Sequence, residues 1–484
     1  PLKFRTKFAY GTGQIGEQIK NQGFNIFLFF YFTQVLGLSG SLSGTAVLIA
    51  LLFDAVTDPL AGSLSDNWKS PRGRRHPFMY ASAVPLALTW LGLFNPPAGM
   101  GQLGLFTWLT VFAILVRGSM TLYHVPHLAQ GAELSRDYHE RTQIVAYRVM
   151  LGTVGGAVTT ILSYQLFFPA SPEFENGLLN PAGYAPFALF GAVLMLVTIW
   201  YSAWGTRDRI PYLPSAPEVP VRFSFRRIGL EFASAWSNVS FRSLFIGFTL
   251  YGVFFGIVGT IATHLNVFFW EFTTAELQIL TLPALLGFVL GTALVGRLHR
   301  MFDKRPTLVW SALASSIVGN SVIVLRLVDW LPSNGSPLLL PIIFAILMVN
   351  TTIAAFGFVS AGSMMADVAE RHEHDSGKAQ GGIFFSATSF SGKLASGLGH
   401  FVAGVGLDLI RFPLRAAPSE VAPEAIRSLG LLSVSAAVLA LIAIYVFKFY
   451  SITSSEQAQI RQALERRGAS NAGKAAPGPS VAEA

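Results

Sequence analysis

The sequence predicts an all-α integral membrane protein with twelve transmembrane helices, and three observations carry that expectation. Of the 484 residues, 52% are hydrophobic and only 12% are charged, about half the ~25% charge of a soluble globular chain. The mean hydropathy is +0.51, as expected if ~20 residues are needed for each crossing and ~240 for all twelve. Lys and Arg fall in the N-terminal tail, alternate loops and the C-terminal tail, which is the bias of cytoplasmic segments. Together these argue against a cytosolic enzyme, a disordered chain or a set of soluble domains. The net charge of +8 and pI near 9.7 are accounted for by those loops, so no nucleic-acid partner is expected.

Long apolar runs interrupted by Gly, Pro and charge give the spans in order. They are 8–36, 40–64, 77–95, 104–127, 142–167 and 182–205, then 240–270, 276–299, 306–327, 337–367, 381–410 and 428–450. The first is expected to act as its own insertion signal, without a cleaved leader. Orienting both termini to the cytoplasm leaves only Arg326, Arg411, Arg415 and Arg427 outside. All nine Trp residues lie near span ends, where an aromatic belt sits. Four units follow: a six-helix bundle over 1–206, a central cytoplasmic linker over 207–239, a second bundle over 240–450, and a disordered tail over 451–484. Two sets of six suggest an internal repeat. In the alignment of Leu51–Gly62 with Leu285–Gly296, Asp54 and Asp58 fall opposite Phe288 and Thr292. The scaffold repeats and the acids do not.

Charges at membrane depth are costly and mark function or pairing. Glu17, Lys20, Asp54, Asp58, Arg117, Arg148 and Lys393 stand there. Asp54 and Asp58 lie one turn apart on one helix face, and two such carboxylates repel unless a cation or a proton separates them. Thr57 and Thr121 offer hydroxyls nearby, and oxygen ligands suit Na⁺ or a proton better than a transition metal. Structural pairing with Lys20, Arg117 or Arg148 is the competing account. Gln14, Glu17, Gln18, Asn21 and Asn25 line one face of the first span; Arg117, Thr121 and His124 do so on the fourth, and Ser386, Ser389 and Lys393 on the eleventh. His264 and His400 fit either packing or a path. Gly11-x-Gly13-x-x-Gly16 has dinucleotide-binding spacing but no preceding strand, so it reads as helix packing. The absence of Cys rules out disulfides and thiolate sites, and no catalytic constellation is visible.

Phe53-Asp-Ala-Val-Thr-Asp-Pro-Leu-Ala-Gly62 followed by Arg72-Gly-Arg-Arg-His-Pro-Phe78 resembles the glycoside–pentoside–hexuronide:cation symporters of the major facilitator superfamily. The stretch from Ala366 through Gly377 to Phe385, leading to Lys393, looks similar as well. The likeness runs from Tyr10 to about Tyr450. It implies two six-helix bundles, alternating access and symport of a sugar or glycoside with Na⁺ or H⁺, with no cofactor, in a bacterial inner membrane and as a monomer. By position it implies Asp54 and Asp58 as the cation carboxylates, joined by Thr57 and Thr121. Gln18, Lys20, Asn21, Arg117, His124, Arg148 and Lys393 then form the substrate residues, and Arg72, Arg74 and Arg75 an inner gate paired with Glu133, Asp137 or Glu140. The family's melibiose permease has Asn at the place of Thr57, and acids at the places of Gln18 and His124. An anionic hexuronide or sulfonated sugar is therefore expected, because the cations at depth outnumber the acids once Glu17 and Lys20 neutralise each other. The vertebrate lysolipid symporters share the acidic pattern, so a lysolipid or amphiphile is the alternative cargo.

Overall fold

The computed structural model describes residues 2–135, 137–214, 217, 224–377 and 381–475. The first half comprises α1 (Phe4–Gln22), α2 (Gly40–Asp66), α3 (His76–Leu93), α4 (Gln102–Glu133), α5 (Tyr138–Phe167) and α6 (Tyr184–Gly205). A linker helix, α7 (Phe225–Trp236), leads to α8 (Val239–His264), α9 (Thr274–Met301), α10 (Lys304–Leu327), α11 (Leu339–Ser376) and α12 (Gly381–Leu409). The last crossing is broken into α13 (Pro423–Ser435) and α14 (Ala437–Phe447), and α15 (Ser454–Ala475) follows. Among the described residues, nine helices are long and apolar enough to cross a membrane on composition alone. The twelve expected crossings are all helical.

Helix starts follow local chemistry. Asp137 accepts from the backbone N–H of Glu140 at the start of α5, and Thr273 and Glu276 form a reciprocal cap on α9. Both α1 and α8, the first helices of the two halves, loosen into π-helical turns at the same end: Gly23–Leu28 and Tyr31–Val35 after α1, and Leu265–Phe269 after α8. In the sequence motif Gly11-x-Gly13-x-x-Gly16, Gly11 lies against α5 and Gly13 against Tyr123 and Ser202. That is the packing role expected of it.

Two seams join the halves, α2 with α12 and α5 with α9. The ends carrying the basic loops form one face, here the basic face, and the opposite ends form the far face. Hydrogen bonds that join the halves near the far face include Thr33 Oγ1 to His264 Nε2 at 3.1 Å, Asn176 Nδ2 donating to the Phe272 carbonyl at 2.7 Å, and Thr263 Oγ1 donating to the Ile26 carbonyl at 2.9 Å. Gly40 and Gly404 meet backbone to backbone, with no room for a Cβ on either. Asp408 of α12 accepts from the backbone N–H groups of Gly40 and Ser41 at 2.9 and 2.8 Å, so one half caps a helix of the other. The far side is closed.

One expectation needs correction, that of the tail. The linker contains α7, whose Phe232 and Trp236 pack edge-on against Phe241 and Phe245. The tail begins as α15 and is not without structure: Arg461 Nε lies 2.9 Å from Glu370 of α11, and Arg371 pairs with Glu456. Low hydropathy hid this helix, because ion pairs rather than an apolar stripe dock it. Residues 476–484, and 378–380 of the second motif, lie outside the described residues.

Candidate functional site: a carboxylate pair bridging the two halves

α2 presents Asp54 and Asp58 toward α4 and α12 at mid-depth. Asp54 is 7% exposed, so it needs partners, and it has three. Arg117 Nη1 lies 3.3 Å from its Oδ2, Lys393 Nζ lies 3.1 Å from the same oxygen, and Thr121 Oγ1 lies 2.7 Å from Oδ1. Thr121 Oγ1 is also 2.9 Å from Asp58 Oδ1, and Lys393 pairs with Asp58 Oδ2. One hydroxyl and one ammonium therefore sit between the two acids. The Arg117 guanidinium packs over the Phe24 ring, 4.6 Å from its centroid, which fixes its approach from the α1 side.

Thr57 stands on the same helix as the two acids. Its hydroxyl donates to the Asp54 backbone carbonyl at 3.3 Å, a bond within its own helix turn. Arg117, expected beside substrate, belongs to the carboxylate cluster. A second group forms around α1. His124 Nδ1 lies 3.1 Å from Glu17 Oε2, and Gln14 donates to the same carboxylate. Glu17 makes its direct contact with His124 of α4, while Lys20 stands further off and still interacts with it through charge. Lys20 is 6% exposed and makes no ion pair among the described residues. Arg148 on α5 is half-buried and is likewise without an ion pair there. Gln18 packs against Gly152 and Gly156 of α5, and Asn21 is half-buried on α1.

On the basic face, Arg74 Nη2 lies 2.5 Å from Glu133 Oε1. Arg75 pairs with both Glu133 and Asp66, the latter at 3.0 Å. Arg72 is exposed and has no ion pair among the described residues. Asp137 caps α5, and Glu140 pairs with Lys7 at 3.3 Å. The Arg pairs hold α2, α3 and α4 together within one half and do not cross to the other. The second half repeats the arrangement with Lys304 and Asp367 at 2.5 Å. Sequence reasoning missed Asp408. Its signal was an acid near the end of an apolar span, without any indication that the start of α2 would face it.

At the other seam, between α1 and α5 on one side and α8 to α11 on the other, lies a cavity of about 710 Å³.

A family model described as MFS/sugar transport protein matches residues 9–454. A putative glycoside/cation symporter of Escherichia coli is 24% identical over 99% of each chain. An isoprimeverose transporter of Lactiplantibacillus pentosus is 24% identical over 82% of this chain and 79% of its own. A putative sulfoquinovose importer of Escherichia coli is 29% identical over 40% of each. Among solved structures, a nucleoside transporter mutant superimposes with a TM-score of 0.63 at 13% identity, covering 93% of this chain and all of its own. That likeness shows the fold, two six-helix halves, and the family model makes it a transporter rather than an enzyme. The chain belongs to the sugar-transport family of the major facilitator superfamily, and to its glycoside–cation symporter branch.

Proposed function

We propose that this chain is a cation-coupled symporter of a sugar or glycoside, working by alternating access, and that its preferred cargo is anionic. One observation carries the coupling. Lys393 of the second half bridges Asp54 and Asp58 of the first. An ammonium held between two carboxylates stands where a coupling cation would otherwise be needed. A Na⁺ or proton that takes up the acids, with the oxygen of Thr121, displaces Lys393 and loosens the seam between the halves. Cation binding and opening are then linked, and cargo that favours the same state binds more tightly in its presence by the same factor. The basic face is the cytoplasmic one in this reading, in a bacterial inner membrane, with both seams inside a single chain acting as a monomer.

The charge of the cargo follows from what is left over. Asp54, Asp58 and Glu17 all have partners, whereas Lys20 and Arg148 have no ion pair among the described residues. Arg148 offers a planar fork suited to carboxylate or sulfonate, with Gln18, Asn21 and His124 close by on α1 and α4. The relative named a sulfoquinovose importer supports the sulfonated-sugar class. The cavity's largely apolar second-half wall, with Phe254, Phe255 and Leu280, favours a lysolipid as the second reading. Uptake into liposomes holding the purified protein, with imposed Na⁺ or H⁺ gradients, separates these. A glucuronide or sulfonated sugar should accumulate only with a gradient and not at all in Asp58→Asn. Uptake of lysolipid alone, or of neutral sugar in preference to its uronide, overturns the assignment of cargo.

A further inference from the structure

The cavity at the α5–α9 seam has a feature the transport reading does not use. None of its lining residues is Asp, Glu, Lys, Arg or His. Its volume of about 710 Å³ lies in the range that holds a drug-sized ligand, well beyond a single sugar ring. Its first-half wall comes from the two helices that carry Lys20 and Arg148, with Gln22 on α1 and Thr153 on α5. At ~1.5 Å per residue, Thr153 stands ~7.5 Å further along α5 toward the far face than Arg148.

The second-half wall is furnished for neutral polar groups. Asn350 Oδ1 accepts from Ser315 Oγ at 2.9 Å, while its Nδ2 has no partner among the described residues. Asn320 Nδ2 donates to the Ser316 carbonyl at 2.8 Å, which leaves its Oδ1 without one. A free donor and a free acceptor on neighbouring helices can meet the hydroxyl of a neutral ring, and the donor alone can meet an accepting group such as the nitro oxygens of an aryl aglycone. Gly319 keeps the approach open, since a Cβ there would come 3.1 Å from Asn350 Nδ2. Phe254 and Phe255 add flat apolar faces beside these amides, suited to a ring.

We infer that Asn350, Asn320 and Ser315 form a second subsite, which takes the uncharged ring or aglycone of a glycoside whose first ring lies against α1 and α5. The inference rests on the sugar-symport reading and adds cargo length to it: the preferred substrate has two moieties, and the second is neutral and flat. Binding to purified protein tests it within two pairs, glucuronate against 4-nitrophenyl glucuronide and glucose against 4-nitrophenyl glucoside. The nitrophenyl member of each pair should bind more tightly to wild type. Asn350→Leu removes the free donor, and Gly319→Val fills the approach. Either should weaken the nitrophenyl glycosides by about tenfold, the worth of one or two lost contacts, and leave the free sugars unchanged. Equal binding within both pairs, or equal weakening of both members by both variants, overturns the subsite while the transport reading stands. Failure of wild type to bind any of the four overturns both.

Discussion

The two seams between the halves are related by the internal repeat, and they differ in chemistry. Along α2–α12, glycine backbones touch, Asp408 caps α2, and Lys393 reaches Asp54 and Asp58. Along α5–α9, Arg148 has no acid to meet, because the positions of Asp54 and Asp58 are occupied on α9 by Phe288 and Thr292. The neutral cavity lies against that seam, with Thr153 and Tyr164 from α5 and Leu280 and Thr281 from α9. One seam is tight and ionic; the other leaves room. On the proposed function, the ion belongs to the first and the cargo to the second, so that one rocking motion would serve both.

The largest effect should come from breaking the ionic seam. Lys393→Ala leaves two acids facing Arg117 alone, and removal of one member of a buried pair costs ~3–5 kcal/mol. Gradient-driven accumulation should fall to background in vesicles, while binding of the coupling cation strengthens because its internal competitor has gone. Unchanged accumulation would show that Lys393 is a packing residue.

Next is the glycine contact. Gly404→Val forces the backbones of α2 and α12 apart near the far face. The chain has no native Cys, so a single Thr33→Cys reports opening. Its labelling from the far side should rise at least tenfold over the same reporter with Gly404 intact. Labelling that stays the same would place the closure elsewhere.

A smaller effect separates the basic-face arginines. Arg75 is 4% exposed and holds Glu133 and Asp66, so Arg75→Ala should destabilise the first half by ~2 kcal/mol or more, read as a lower unfolding temperature in detergent. Arg72→Ala should change stability by no more than ~0.5 kcal/mol, as at an ordinary surface site. Similar losses from both would mean that the loop acts through total charge.

Much of this was legible in the sequence, and the pattern of misses is physical. Twelve spans follow from apolar length alone, since each crossing must satisfy its backbone internally. The ends were harder: α11 runs to Ser376, nine residues past its expected end, because its polar last turns leave the apolar run. The proximity of Asp54, Asp58 and Thr121 followed from helical spacing plus one assumed neighbour. The contact of Glu17 with His124 was not foreseen, because spacing along one helix says nothing of a neighbour on another.

The cap that Asp408 gives to α2 bears on the return stroke of an empty carrier. A carboxylate at a helix N-terminus contributes about 0.5–2 kcal/mol, and this one acts only while the far face is shut. Neither ion nor cargo takes part in it. On the proposed alternating-access reading, a peptide dipole and one side chain therefore favour presenting the empty site to the basic face. Any rise in the far-side-open population must overcome that contribution to the resting occupancy.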